Sequence, residues 1–309
     1  MPTSSGAGSA LRAMPADTTT RPHMTTSRVL DGKAIAERIK QRLTQELAEL
    51  KARPQLRILS FDTPASRIYR GAQAAVAGDI GIATDHDGTI AWDQVRQEDV
   101  ERTIHAWNRD PQVHGIFVHQ PMPPQIDAQR VSASIDPRKD IEGIHPQNSA
   151  RRFFAKARIG SCTALAVMEL IESTKVPLEG KEAVVIGHSE IVGRPVSMLL
   201  LDKLATTTIC HLGTDKAKRL EEHVRRAEIL VVAVGRPQFI KGEWIKLGAI
   251  VIDVGINVVN GKVVGDVEFE AAKQRAAFIT PVPGGVGPVT VMMVMKNTVE
   301  AFKLQQAKG

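Results

Sequence analysis

The chain is poor in aromatic side chains: eight Phe, three Trp and one Tyr among 309 residues. Its formal net charge is only +6, and the Lys and Arg residues are scattered along the sequence. A nucleic-acid binder concentrates its basic excess in a stripe with interleaved aromatics, so that class is excluded. Cysteine is nearly absent. Cys162 and Cys210 lie far apart, which excludes a disulfide framework and a Cys-based metal site. They read as reduced thiols of a cytoplasmic protein. No apolar run reaches the roughly 18 residues of a membrane-spanning helix.

What remains is an ordinary globular composition, 43% hydrophobic and 24% charged. The length suits two domains. Residues 1–27 are rich in Ser, Thr, Ala, Gly and Pro and read as a disordered tail. Arg12, Arg21 and Arg28 against one acid, Asp17, have the composition of a transit peptide. An upstream start codon ahead of Met24 accounts for the segment equally well. From Val29 onward, strands alternate with helices, the pattern of a parallel α/β sheet. Ile35–Leu50 carries helical apolar spacing. LRILSFD is a short strand, and a helix follows it. VHGIFVHQPMP is a strand running into a proline-punctuated loop. Residues 136–153 read as the crossover between domains. TALAVMELIESTKV is then a helix with Thr163 as its N-cap. Three Val/Ile runs follow, in KEAVVIGH, EILVVAVGRP and AIVIDVGIN, as strands buried on both faces require. VMMVMKNTVEAFKLQQ is the last helix.

Five stretches carry chemistry. In PASRIYRGAQAAVAGDIGI, residues 64–82, Tyr69 and Gln73 share a helix face. A glutamine there is unexpected, because its amide does not titrate near neutral pH. VVIGHSEIVGRP, residues 184–195, has a strand emptying into a glycine turn that opens a helix. Gly187 permits the turn, Gly193 permits close packing, and free N–H groups at the helix start can receive a phosphate. The pattern G-x-S-x-x-x-G is not the usual G-x-G-x-x-G. The three apolar strands are what favour a dinucleotide domain over a ligand-free turn. In VHQPMPPQID, residues 118–127, His119 sits at a strand end where α/β sheets bind ligands, although a lone histidine there is more often structural. In KDIEGIHP, Asp140 and Glu142 are either solvated charges or partners for a guanidine-like ligand edge. TPVPGGVGPVT, residues 280–290, has enough Gly and Pro to fix a backbone that approaches something closely.

Together PASRIY, KDIEGIHP, GHSEIVGRP, ILVVAVGRP, VIDVGIN and TPVPGGVGPVT resemble the bifunctional methylenetetrahydrofolate dehydrogenase/methenyltetrahydrofolate cyclohydrolases, from about Val29 to the C-terminal helix. The resemblance implies two α/β domains, each with a mainly parallel sheet. A folate-binding catalytic domain would span residues 28–147 plus 281–309. A Rossmann-like NAD(P)-binding domain would span 148–280, with the C-terminal helix returning to the first domain. It implies a homodimer, a tetrahydrofolate substrate and no metal. Tyr69, Gln73 and His119 take the catalytic positions. Tyr69, Glu142, Pro283, Gly284 and Gly285 take the substrate positions. Gly187, His188, Ser189, Ile191, Val192, Gly193, Val234, Gly235 and Ile256 take the cofactor positions.

The departures gather in the cleft. The family helix reads Y-x-x-x-K, with the lysine as main catalytic group, and here that lysine is Gln73. A second basic position is Ala75. The family strand V-Q-L-P-L-P, whose glutamine supports the lysine, has become VHQPMP, with His119 at the glutamine and Gln120 after it. Glu142 replaces the pterin-binding aspartate. P-C-T-P-x-G has become SCTALA, His188 replaces the arginine of G-R-S, and C-H-S-R/K-T has become CHLGT. The sequence therefore reads as a divergent paralogue. It is expected to be a methylenetetrahydrofolate dehydrogenase with weak or lost cyclohydrolase activity, NAD slightly favoured over NADP. The alternatives are a cyclohydrolase using His119 as base, a non-catalytic folate-binding protein, and a specialised-pathway enzyme acting on another substrate.

Overall fold

The computed structural model describes residues 27–85, 89–154 and 158–307. The tail expected over residues 1–27 therefore lies outside the described residues except for Ser27. Two parallel sheets organise the chain. In the first, Gln55–Phe61 is central and pairs in parallel with Ala83–Asp85, Thr89–Ile90 and Gly115–Val118. The second has six parallel strands in the order Arg28–Val29, Phe278–Ile279, Ile250–Asp253, Ile229–Val232, Glu182–Ile186, Thr206–Cys210. Its inner strands Ile229–Val232 and Ile250–Asp253 are buried along their whole length, as their unbroken apolar runs demand.

Two features differ from the sequence reading. Arg28–Val29 pairs with Phe278–Ile279, so the first described strand belongs to the second sheet although its neighbours in sequence serve the first. The helix expected to start at Thr163 runs Cys162–Ser173, and its cap is Ser161, whose Oγ accepts from the Ala164 N–H at 3.3 Å. A serine hydroxyl two residues earlier satisfies a free N–H of the first turn.

The C-terminal helix, Val286–Gln306, packs between Gly32–Ala48 and Cys162–Ser173 and also touches Pro64–Ile80. It thus joins the two halves. Its buried Asn297 donates to the carbonyls of Ile141 and Gly160 at 2.7 Å each. That pair of bonds fixes the crossover, which otherwise holds few apolar anchors.

Candidate active site

The helix Pro64–Ile80 is defined at both ends. Thr63 and Ser66 cap each other reciprocally at 3.1 Å, and Gly81 closes the helix at φ 90°. A left-handed residue of this kind favours glycine. These ends fix the register that puts Tyr69 and Gln73 on one face. Across from them, Gly115–Val118 pairs with Gln55–Phe61, and the His119 N–H donates to the Leu59 carbonyl at 2.9 Å. His119 is thereby held at the carboxyl edge of the first sheet.

Gln73 and His119 meet directly. His119 Nε2 lies 2.7 Å from Gln73 Oε1, and both side chains are buried. Burial, followed by the nearby Arg70 charge, pushes His119 down to about 4. The ring is therefore neutral near pH 7, and its Nε2 shares one hydrogen bond with the Gln73 amide. Gln73 Nε2 is left buried without a partner. An unmade buried donor costs about 1–3 kcal/mol. The Tyr69 ring covers the pair, 5.3 Å from the His119 ring and 6.4 Å from Phe117. Burial raises the Tyr69 phenol well above its ordinary range. No group of this trio is charged at neutral pH.

The KDIEGIHP segment divides its roles. Lys139 is buried, and its Nζ donates to the carbonyls of Trp107, Asn108 and Asp110 at 2.6–2.9 Å. Asp140 is buried and accepts from the N–H groups of Glu142 and His145 and from Asn148 Nδ2. Both are structural, so of the two acids only Glu142 remains for a ligand. Burial, reinforced by the Asp140 charge and opposed by a hydrogen bond from the Val118 backbone, raises Glu142 to about 8.

A cavity of about 490 Å³ brings together Tyr69, Val192, Ile256, Pro283, Gly284 and Gly285. Six of the sequence-selected residues from both halves thus face one space. Lys33 and Asp253 share its wall and were not singled out in the sequence, and Thr163, read there only as a helix cap, lines it too. Gln73 and His119 lie behind Tyr69 rather than in that wall, and Glu142 is also outside it. A second cavity of about 610 Å³ lies between the Pro146–Phe154 helix and the phosphate turn, with Ile191, Ser161 and Arg194 in its lining.

The remaining dinucleotide positions gather at the carboxyl edge of the second sheet, the ligand edge of such folds. Gly187 has φ 115°, and a Cβ there would meet the Ala233 carbonyl oxygen at 2.2 Å. A Cβ on Gly193 would lie 2.0 Å from the Gly187 oxygen. These clashes make a turn that only glycine completes, close enough for backbone to approach a pyrophosphate. Ser189 Oγ accepts from the N–H groups of Val192 and Gly193 at 3.2 and 3.4 Å. At the neighbouring strand end, where ribose is read, His188 and His211 meet edge to face at 5.3 Å. His211 Nδ1 accepts from the Gly213 N–H at 3.0 Å. Arg236 is held away by Asp215 at 3.3 Å and by the Phe239 ring.

Sequence reasoning missed a second pair of carboxylates here. Asp253 accepts from the N–H groups of Gly255, Asp266 and Val267. Asp266 accepts from those of Val234, Gly235 and Arg236 and from Asn257 Nδ2. The available signal was an acid closing a Val/Ile strand beside a glycine, in VIDVG, and another glycine–acid pair in VVGDV.

This two-domain geometry matches one family. Its models cover nearly the whole described chain: the tetrahydrofolate dehydrogenase/cyclohydrolase catalytic domain over residues 30–142, and its NAD(P)-binding domain over residues 161–306. The chain belongs to the tetrahydrofolate dehydrogenase/cyclohydrolase family. A relative from Acetivibrio thermocellus, named bifunctional protein FolD, is 45% identical over 284 residues, covering 90% of this chain and 98% of that protein. Among solved structures, the bifunctional enzyme FolD of Campylobacter jejuni superposes with a TM-score of 0.85 at 37% identity, covering 90% of this chain and 99% of the other. The Trypanosoma brucei methylenetetrahydrofolate dehydrogenase-cyclohydrolase, solved with NADP and an inhibitor, gives 0.85 at 38% identity, covering 90% and 98%. The tetrahydrofolate dehydrogenase/cyclohydrolases are NAD(P)-dependent oxidoreductases of folate one-carbon metabolism, and the glycine turn at Gly187 and Gly193 fits such a dinucleotide.

Proposed function

We propose that this chain oxidises 5,10-methylene-tetrahydrofolate with a nicotinamide cofactor and retains little or no methenyl-tetrahydrofolate cyclohydrolase activity. The observation that carries this reading is the neutral Gln73–His119 contact at the family's lysine position. Hydride transfer depends mainly on holding two rings together, and orientation alone lowers a barrier by several kcal/mol. The bound nicotinamide supplies the hydride acceptor. Tyr69 holds the substrate rings, the Pro283–Gly285 backbone closes against them, and Glu142 binds the pterin edge. Val192 and Ile256 face the same cavity from the cofactor side, with the phosphate turn at Gly187, His188, Ser189, Ile191 and Gly193 and the loop at Val234 and Gly235 behind them.

Hydrolysis differs because water must lose a proton, for which a positioned acid–base group gives about 10²–10⁴-fold. Gln73 does not titrate. His119 is buried and its Nε2 is already engaged with Gln73, which speaks against it as the replacement base. At the ribose corner His188 and Gly213 stand where the family has basic side chains, which favours NAD over NADP. The open edge strand Thr206–Cys210, flanked by exposed Leu201, Leu204 and Leu212, supports a homodimer. The two buried, unpaired cysteines suit a reducing compartment such as the cytoplasm.

A paired assay tests the proposal. NADH and NADPH formation from methylene-tetrahydrofolate is followed beside loss of methenyl-tetrahydrofolate absorbance in the same buffer. Cofactor reduction with hydrolysis near the buffer rate is the expected result. Hydrolysis at a normal enzymatic rate would overturn the loss of cyclohydrolase, and silence in both channels would overturn the dehydrogenase itself.

A further inference from the structure

We propose that Asp253 and Asp266 are positioning residues for the nicotinamide cofactor, wired in series from the folate cavity to the dinucleotide loop. The inference rests on the cofactor half of the reading above and not on the fate of hydrolysis.

The wiring is explicit. Asp253 ends the strand Ile250–Asp253 and lies in the wall of the 490 Å³ cavity. Its Oδ1 accepts from the Gly255 and Asp266 N–H groups at 3.0 Å each, and its Oδ2 from Val267 at 2.9 Å. Asp253 therefore fixes the backbone at Asp266. The Asp266 side chain then reaches across to the next strand end. Oδ2 accepts from Val234 and Gly235 at 2.7 and 2.9 Å, and Oδ1 from Arg236 and from Asn257 Nδ2 at 2.8 Å each. The loop so held follows Ile229–Val232 and carries Gly235 at φ 63°. Asn257 adjoins Ile256, the cavity residue on the cofactor side.

The surrounding glycines are shaped for these carboxylates. A Cβ on Gly265 would meet Asp253 Oδ2 at 2.0 Å, and one on Gly255 would meet Asp266 Oδ1 at 2.2 Å. Neither carboxylate is used up on a cation: among the described residues each is bonded to backbone N–H groups or an amide. Such convergence of N–H groups satisfies the acids at their own expense of flexibility, which is what a loop that must match a rigid ligand requires.

The ionisation of Asp253 supplies a readout that a passive strut lacks. Burial raises it to about 6, against the lowering effect of its backbone hydrogen bonds, and the neighbouring Asp266 charge adds to the rise. The titratable groups facing it are Asp266 through the shared backbone, and Lys33 and Tyr69 across the cavity. As an anion, Asp253 accepts all three N–H bonds. When protonated, one oxygen becomes a donor, but the raised value shows that shedding the buried charge outweighs the weakened bond. Its contribution to the ordered loop is therefore full at low pH and is lost as pH rises through about 6.

The experiment titrates NADH and, separately, 5-formyl-tetrahydrofolate into the purified full chain and its variants. Asp266→Asn is expected to weaken NADH at least tenfold and 5-formyl-tetrahydrofolate less than threefold. Wild-type NADH affinity is expected to rise between pH 7 and pH 5, and Asp253→Asn to flatten that profile. NADH binding within threefold of wild type in an Asp266→Asn protein of unchanged thermal midpoint would overturn the proposal, as would equal losses for both ligands. Should Asp266→Asn fail to fold, the wild-type protein decides. Amide exchange at Gly235 and Arg236 that slows below pH 6 beyond its intrinsic pH dependence supports the wiring, and a flat NADH affinity over that range overturns it. Absence of any folate binding would instead sink the folate reading while leaving the NADH arm intact.

Discussion

The floor of the folate cleft and the carboxyl edge of the second sheet have been treated differently by the sequence. At the sheet edge the glycine turn, the Val/Ile strands and the Asp253–Asp266 wiring all agree with one another and with a dinucleotide. In the cleft the fold is kept while the chemistry is altered: the helix is capped, Tyr69 is in place, and the titratable group between them is missing. The comparison teaches that backbone geometry and proton chemistry are separable. Gly187 and Gly193 are demanded by contacts of about 2 Å that no side chain tolerates, whereas Gln73 is buried against His119 without supplying a titratable group.

The largest expected effect breaks the sheet edge. Gly193→Val puts side-chain carbon against the Gly187 carbonyl, with 2.0 Å available to the first atom. Cofactor binding is expected to fall by more than 100-fold, with a lowered thermal midpoint. An NADH titration and a melting curve check both. Binding within tenfold of wild type would show that the turn can open without loss.

The next effect rebuilds the cleft. Gln73→Lys combined with His119→Gln restores the family's pair, and cyclohydrolase activity is expected to rise by about 10²–10⁴-fold, the usual contribution of a positioned acid–base group. Methenyl-tetrahydrofolate absorbance reads it directly. No gain would mean that Ala75, Glu142 and the SCTALA segment have altered the cleft more deeply than one pair.

A smaller effect separates structure from binding inside one motif. Lys139 and Glu142 are three residues apart, yet Lys139 serves only carbonyls. Lys139→Met leaves those of Trp107, Asn108 and Asp110 unpaired and is expected to cost about 2–3 kcal/mol of stability. Denaturant unfolding measures this, and the folate KM should move less than threefold. A folate KM raised tenfold at unchanged stability would place Lys139 in the site.

These distinctions mark where sequence reading reaches its limit. The buried strands were legible because unbroken apolar runs report burial locally, and the Gly187 and Pro283–Gly285 loops because glycine and proline report backbone shape locally. The positions of Gln73 and His119 were legible too, but not their hydrogen bond, which joins residues 46 apart through the pairing of two strands. Arg28–Val29 was assigned with its sequence neighbours because a two-residue strand has no period, and only the fold shows it beside Phe278–Ile279. Lys139, Asp253 and Asp266 escaped, and the structural role of Asp140 was not foreseen, for one reason. A charged residue looks solvated in sequence, and only three-dimensional structure reveals the N–H groups and carbonyls that bury it.

The smallest effect concerns Glu142, the one cleft acid left to meet a ligand. Its carboxyl is raised to about 8 by burial first and by Asp140 second, so at pH 7 it is mostly protonated in the free protein. A pterin's donor edge prefers the carboxylate. Folate binding at pH 7 must then release a proton, and each unit of pH below about 8 costs up to tenfold in affinity. The folate KM is accordingly expected to rise as pH falls from 8 to 6.5 and to level off above 8. In Glu142→Gln the amide neither binds as strongly nor titrates, so KM at pH 8 should rise about tenfold while the slope disappears. If the wild-type KM were flat across that range, Glu142 would already be ionised in the free protein, and the cleft would be less sealed than the Gln73–His119 floor makes it.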